Sequence, residues 1–70
     1  MFDYKPLRGK IREICGSEEE FAKRLGISKT SLSGRLNNKL EFSSKEIMKS
    51  CEILGISLDN VSKYFFECGV

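Results

Sequence analysis

The tetrapeptide Leu-Gly-Ile-Ser occurs twice in this chain, at positions 25–28 and again at positions 54–57. In such a stretch Leu closes a helix, and Gly supplies the left-handed residue that other amino acids adopt only with strain. Ile packs back onto the helix that has just ended, and Ser caps the next one. Each copy therefore predicts a tight corner between two helices.

Helical signals continue on both sides of these corners. In the first segment Leu7, Ile11 and Ile14 recur at the spacing of an amphipathic helix. Pro6 stands where a first-turn proline is tolerated, and Gly16 follows as a stop signal. The spacing predicts a first helix that buries this stripe.

Two capping boxes mark further helix starts, one formed by Ser17 and Glu20 and the other by Ser43 and Glu46. The apolar spacing predicts a third helix over about residues 29–36, and Ser57 is expected to cap a fifth. Strand signals are nearly absent, although the tail from residue 66 fits either a frayed helix end or a short strand. We therefore expect an all-α fold of five short helices in one domain, residues 1–70.

The composition is that of a small soluble domain. Apolar residues make up 40% of the 70 residues and charged residues 31%, so the core is near the lower limit for independent folding. No stretch has the apolar length of a membrane span, and the N-terminal residues lack the apolar segment of a signal peptide. The expectation is a cytoplasmic protein with no membrane partner.

Enzymatic and metal-dependent functions have little support in the sequence. The chain has no histidine, and its three cysteines, Cys15, Cys51 and Cys68, form no metal-binding pair. No cysteine has a base near it in the sequence, and no pair of carboxylates suggests a catalytic cleft. We expect no enzyme activity and no cofactor, and the absence of a sensing domain predicts no small-molecule ligand.

The positive charge is concentrated in one region, although the net charge is only +2. Residues 21–39 carry five basic side chains and no acid, whereas residues 17–20 contribute three acids. This asymmetry suggests an anionic partner for one face of the protein.

The region from about residue 18 to residue 36 has the spacing of a helix-turn-helix. A small residue, Ala22, lets two helices approach closely, and Gly26 follows four residues later to make the turn. Ile27 and Leu32 are placed to fill the angle between the helices. The second of these helices is basic, which is the arrangement found in DNA-reading pairs.

At this point a family resemblance becomes visible. The segment FAKRLGISKTSLS, residues 21–33, resembles the helix-turn-helix of phage-repressor and Cro-type transcription regulators. The opening FDYKPLRGKIRE, residues 2–13, resembles a group of small stand-alone phage-type regulators. The resemblance covers nearly the whole chain. It implies a five-helix lambda-repressor-like domain that binds double-stranded operator DNA as a dimer and acts as a repressor.

The resemblance also implies a DNA-binding surface. Carried over position by position, it comprises Lys29, Thr30, Ser31, Ser33, Gly34, Arg35, Asn37, Asn38 and Lys39. Lys29 is expected to donate to guanine, and Thr30 to meet a base edge or a thymine methyl group. The two serines are within reach of phosphates or bases, and residues 37–39 match the loop that holds the DNA backbone.

Three positions depart from the family pattern. Glu18 stands where most members have a glutamine that points at phosphate, and a carboxylate there repels the DNA backbone. Arg35 occupies an apolar position, which is expected to free its guanidinium for a phosphate. Gly34 lies inside a helix, where it fits either a close approach to the groove or a tolerated surface position.

The two corners are expected to differ in function. The second is followed by Leu58, Asp59 and Asn60, which are poor groups to aim at phosphate. Only the first corner therefore presents a DNA-reading face. Near the C-terminus, Tyr64, Phe65 and Phe66 cannot all face one way on a helix, so this region is expected to form the interface of a homodimer.

A second interpretation belongs to another functional class. The protein is then an interaction module of the antirepressor type, which keeps the fold but does not bind DNA. The acidic residues Glu18, Glu19 and Glu20 are its best support.

Overall fold

Five α-helices follow one another in residues 1–68, the part of the chain that the computed structural model describes. They are α1 (Lys5–Cys15), α2 (Glu18–Leu25), α3 (Lys29–Leu36), α4 (Ser44–Leu54) and α5 (Val61–Phe65). A short 3-10 turn, Leu58–Asn60, precedes α5, and a single antiparallel bridge joins Phe2 to Cys68. The predicted all-α fold class is confirmed. No helix within residues 1–68 combines the length and apolar character needed to cross a bilayer.

The two Leu-Gly-Ile-Ser corners have the same backbone structure. Gly26 and Gly55 are both left-handed, with φ angles of 85° and 67°. At the first corner the N–H groups of Gly26 and Ile27 both donate to the carbonyl of Ala22, at 2.9 and 3.0 Å. At the second corner, the Cys51 carbonyl accepts in the same way from the N–H groups of Gly55 and Ile56. The repeated sequence is a repeated helix end, as predicted.

The corners differ in the role of the serine. Ser28 caps α3 by accepting from the N–H of Ser31. Ser57 makes no such cap, and its hydroxyl instead accepts a hydrogen bond of 3.3 Å from the side-chain amide of Asn60. The prediction that Ser57 caps the fifth helix is therefore wrong, because a neighbouring side chain occupies its hydroxyl and the chain makes a 3-10 turn first.

Only one of the two predicted capping boxes is complete. At the start of α4, Ser43 accepts from the N–H of Glu46, and the Glu46 carboxylate accepts from the N–H of Ser43. At the start of α2, Ser17 accepts from the N–H of Glu20. The Glu20 carboxylate does not return the bond, because it is paired with Arg24.

The buried side chains form one cluster to which all five helices contribute. The apolar members are Tyr4, Leu7, Ile11, Phe21, Ala22, Leu25, Leu32, Leu36, Cys51, Leu54, Ile56 and Phe65. Helix α2 lies at the centre and packs against α1, α3 and α4. Ile14 does not join the cluster and is 41% exposed, because Cys15 packs inward in the last turn of α1 instead.

The N-terminal residues are attached to the α3–α4 loop and to the C-terminal segment. Asn38 is left-handed, with a φ angle of 62°. Its side-chain amide accepts from the N–H of Phe2 and donates to the carbonyl of Phe2, both at 2.9 Å. The N–H of Asp3 donates to the carbonyl of Glu67 at 2.8 Å. The tail beyond α5 is thus neither a longer helix nor a strand of a sheet up to residue 68; Gly69 and Val70 lie outside the described residues.

Asn38 combines a left-handed backbone with a side chain that binds Phe2, and the two contributions can be separated. We expect Asn38→Gly to lower the free energy of unfolding by about 1 kcal/mol, because two partly exposed hydrogen bonds are lost. Asn38→Ala loses the same bonds and adds left-handed strain of about 1 kcal/mol. Urea unfolding followed by circular dichroism measures both. Equal stability of the two variants would contradict the role of the left-handed backbone.

Candidate interaction surface

The first turn of α3 presents two exposed polar side chains. Lys29 and Thr30 follow the cap residue Ser28, and both point into solvent. Within residues 1–68, no ion pair involves Lys29. Both side chains are therefore open to a partner at the positions where the family resemblance places base contacts.

Two serines on α3 are partly engaged by the helix itself. The hydroxyl of Ser28 donates to that of Ser31 at 3.0 Å, so Ser31 belongs to the helix cap. The Ser33 hydroxyl and carbonyl both accept from the side-chain amide of Asn37, at 3.2 and 2.9 Å. Ser33 and Asn37 are exposed, whereas Ser31 is half-buried.

Gly34 is explained by its contact with Leu40. A Cβ atom at position 34 would lie 3.0 Å from one methyl carbon of Leu40, so this side chain rests on the bare backbone of α3. The N–H groups of Lys39 and Leu40 both donate to the Gly34 carbonyl, at 2.8 and 3.1 Å. Gly34 is therefore a seat for the following loop, a reason that neither sequence-based interpretation of this glycine contained.

Arg35 is bound to α4. Its guanidinium donates to both carboxylate oxygens of Glu46, at 2.9 and 3.1 Å, and to the carbonyl of Ser31 at 2.9 Å. Only 16% of the Arg35 side chain and 20% of the Glu46 side chain are exposed. The expectation that this guanidinium is free for phosphate was therefore wrong, because Glu46 lies opposite it across the α3–α4 interface.

The carboxylate of Glu46 shows the strength of this attachment. Its partial burial alone raises its pKa, but the hydrogen bonds from Arg35 and Ser43 outweigh burial and hold the pKa of Glu46 below its usual range. One carboxylate therefore serves two structural purposes, since it closes the capping box of α4 and holds the last turn of α3.

In the loop after α3, one side chain makes hydrogen bonds within the protein and another is exposed to solvent. Asn38 binds Phe2, so its side-chain amide is occupied. Lys39 is exposed, and none of the ion pairs within residues 1–68 includes it. Together, Lys29, Thr30, Ser33, Asn37 and Lys39 are the exposed members of the predicted DNA-binding set. With Gly34 and Leu40, they surround a shallow depression of about 500 Å³ over α3.

Arg8, on α1, makes hydrogen bonds to residues of α2 and to the C-terminal end of α3. It donates to the Glu18 carboxylate at 2.7 Å, and its second nitrogen lies 3.4 Å from both the Leu36 carbonyl and the Asn37 side-chain oxygen. Glu18 stands at the start of α2, where the family resemblance implies a phosphate ligand. Here its charge is compensated within the protein.

A third arginine is paired in the same way. Arg24 donates to Glu20, four residues earlier on α2, at 2.9 Å. The hydrogen bond from Arg24 lowers the pKa of Glu20. Of the five basic residues between positions 21 and 39, both arginines are thus paired with the chain's own carboxylates.

Arg8, Glu46 and Leu40 shape the surface without having been identified as site residues from the sequence. Arg8 and Glu18 are separated by a helix end, and Arg35 and Glu46 by a loop, so no helical spacing pairs them. The sequence did indicate that Leu40 returns toward the core, but its side chain is 50% exposed. The only sequence signal for the contact of Leu40 with α3 was a glycine, Gly34, inside that helix.

A comparison with models of known protein families identifies the family of this chain. Residues 1–68 match the sequence profile of the family described as "Protein of unknown function (DUF739)". The chain belongs to this family. The comparison with curated proteins gave no match.

Among solved structures, the chain is similar to the modulator of repression (MOR) of the temperate bacteriophage TP901-1 from Lactococcus lactis, determined in solution. The two sequences are 38% identical, and the TM-score is 0.82. The similarity covers 93% of this chain and 88% of the phage protein.

The Arg35–Glu46 pair predicts how stability depends on pH. The pKa of Glu46 is lower in the folded protein than in the unfolded chain, so its contribution is complete above the unfolded value of about 4.3 and is lost as pH falls through the folded value. We expect Glu46→Gln to be less stable by about 1–2 kcal/mol at pH 7 and to lose less stability than the wild type between pH 6 and pH 3.

Urea unfolding at a series of pH values measures this difference. Glu52→Gln, at an exposed position of the same helix, is the matched control and is expected to follow the wild type. If Glu46→Gln and the wild type showed parallel pH dependence, the pair would not supply this stability.

Proposed function

We propose that this protein is a small phage-type regulator that modulates transcriptional repression, and that it does so by contacting a repressor protein through the surface of α2 and α3. The similarity in sequence and fold to a phage modulator of repression supports the regulatory role. The pairing of the arginines around α2 and α3 supports a protein partner rather than operator DNA.

The single observation that carries this choice is the pairing of three of the four arginines; the fourth, Arg12 on α1, is in none of the ion pairs within residues 1–68. Arg8, Arg24 and Arg35 each donate to a glutamate of the same chain, at 2.7, 2.9 and 2.9 Å. Affinity for DNA depends mainly on cations that neutralise phosphates. An arginine that already binds a carboxylate adds little net charge to the surface, and a second anion has to compete for its donors.

The remaining charge of the surface is of both signs. Lys29 and Lys39 are exposed on the α3 side, and Glu19 is exposed in the first turn of α2. A duplex is uniformly negative along its backbone, so a mixed surface matches it poorly. A protein partner can present both charges in a complementary arrangement.

Operator DNA is the second candidate partner, because one specific observation favours it. Lys29 and Thr30 lie exposed in the first turn of α3, where their chemistry suits base edges in a major groove. Binding as a dimer, with two α3 helices about one DNA turn apart, belongs to this candidate.

The first test compares the two partners directly. Fluorescence anisotropy measures binding of the labelled protein to a phage-type repressor from the same genome, and to DNA upstream of its own gene against scrambled DNA. We expect binding to the repressor, and weak, similar binding to both DNAs. Tight binding to the upstream DNA alone, with a steep salt dependence, would overturn the proposal in favour of a DNA-binding regulator.

The double variant Lys29→Ala/Thr30→Ala tests whether α3 forms the contact. We expect it to weaken repressor binding by about tenfold, as truncation of central interface residues does. The matched control is Ser44→Ala/Lys45→Ala, which changes the same kinds of side chain in the first turn of α4. Equal losses in the two double variants would contradict a specific role of α3.

Glu18→Gln tests the second candidate. The change removes the negative charge that pairs with Arg8 at the start of α2, so the charge of the Arg8 guanidinium is no longer compensated. We expect nonspecific DNA affinity at low salt to rise by about two- to fivefold, while Glu52→Gln has a smaller effect. Unchanged DNA affinity in Glu18→Gln would show that this pair does not limit DNA binding.

A further inference from the structure

Exposed apolar side chains are gathered at one end of the protein. Among the described residues, seven large apolar side chains are exposed, and four of them line a single groove of about 450 Å³. These four are Met1, Phe2, Leu40 and Phe66, with exposed fractions of 89, 38, 50 and 50%. Soluble proteins rarely collect exposed apolar groups in this way unless a partner covers them.

The groove has a firm floor of aromatic rings. Phe42 packs edge-on against Tyr4 and Phe65, with ring centroids 5.6 and 5.2 Å apart. Phe65 is 1% exposed and belongs to the main core. Since the floor is part of the core, the groove exists before any partner binds, and little ordering is needed to fill it.

One wall of the groove is held in place by hydrogen bonds. Phe2 contacts Phe66 edge-on at 5.9 Å, and both main-chain groups of Phe2 are bound by the side chain of Asn38. The lining also includes Leu40, which rests on Gly34. Asn38 and Gly34 therefore position the groove, although the resemblance assigns both of them to DNA.

The groove is continuous with the surface of α3. Leu40 lines the groove, and it also lines the depression formed by Lys29, Thr30 and Ser33. A partner that contacts α3 through the proposed surface therefore meets the groove next. Operator DNA has no apolar group to fill it beyond single thymine methyls.

The charge of the groove indicates the chemistry of its occupant. Glu41 is the only charged side chain that lines it among the described residues, and it is exposed. Met1, which carries the N-terminal ammonium group, also lines the groove, but none of the ion pairs within residues 1–68 includes Glu41. Burial raises the pKa of Tyr4, and the nearby Glu41 carboxylate raises it further. A carboxylate without an ion-pair partner at an apolar site repels DNA and favours a basic side chain.

We propose that this groove binds an apolar segment of the repressor that carries a lysine or arginine next to its apolar side chains. DNA-binding proteins have such basic residues on the surface that meets phosphate. The inference rests on the proposed function and names the chemistry of the partner. The segment places its apolar side chains between Leu40 and Phe66 and its basic group at Glu41.

The experiment measures binding of a phage-type repressor from the same genome by isothermal titration calorimetry. We expect Leu40→Glu and Phe66→Glu to weaken binding by about tenfold or more. The matched controls are Leu58→Glu and Met48→Glu, since both residues are exposed and lie outside the groove. They are expected to bind within about twofold of the wild type.

The charge is tested separately. Glu41→Lys is expected to weaken binding by about three- to tenfold, whereas Glu52→Lys, the same change on exposed α4, leaves it unchanged. Circular dichroism and thermal unfolding verify that each variant folds. Leu40→Ala and Phe66→Leu provide a second, milder set that removes apolar area without adding charge, and the larger loss is expected for Leu40→Ala.

The outcomes separate this inference from the proposed function. If the wild type binds the repressor and the groove variants bind equally well, the groove inference is overturned and the proposed function stands. If the wild type does not bind the repressor, the proposed function is overturned and the groove inference with it. A wild-type dimer in light scattering that dissociates in Leu40→Glu would overturn the inference by assigning the groove to a second copy of this chain.

Discussion

The close packing of α2 against its neighbours is the constraint on which the other parts of the structure rely. This helix contacts α1, α3 and α4, and its inward side chains Phe21 and Ala22 are 0 and 2% exposed. The small Ala22 allows the close approach, and its carbonyl accepts both N–H groups of the corner that leads into α3. The direction of α3, and hence the position of every exposed residue on it, is set by this corner.

The character of the exposed surface is decided by ion pairs rather than by the number of basic residues. An arginine has a planar set of donors that fits a carboxylate, and three of the four find one within the chain: Arg8 with Glu18, Arg24 with Glu20 and Arg35 with Glu46. The fourth, Arg12 on α1, is exposed and is in none of the ion pairs within residues 1–68. The lysines at positions 23, 29 and 39 stay exposed. A segment with five basic residues and no acid thus becomes a surface with moderate positive charge, which changes the partner that suits it.

The N-terminal residues and the α3–α4 loop form a second unit around Asn38. A left-handed asparagine whose amide satisfies both main-chain groups of Phe2 ties the start of the chain to the loop, and Leu40 completes the loop by resting on Gly34. Two exposed apolar side chains, Phe2 and Leu40, are thereby held in the lining of one groove. The family resemblance assigns this loop to phosphate contacts, but in this structure it also holds the N-terminal residues in place.

The helices and the corners could be predicted from local sequence. Helix ends depend on backbone preference and capping, so Gly26, Gly55 and the Ser43–Glu46 box could be recognised from residues within one turn of each other. Tertiary packing, in contrast, settles which polar groups remain available. Arg35 meets Glu46, and Asn38 meets Phe2, across 11 and 36 positions of sequence, and the packing of helices sets those distances. The position of α3 along the chain was therefore predictable, whereas the charge of its exposed face and the apolar groove beside it depend on contacts that no local pattern records.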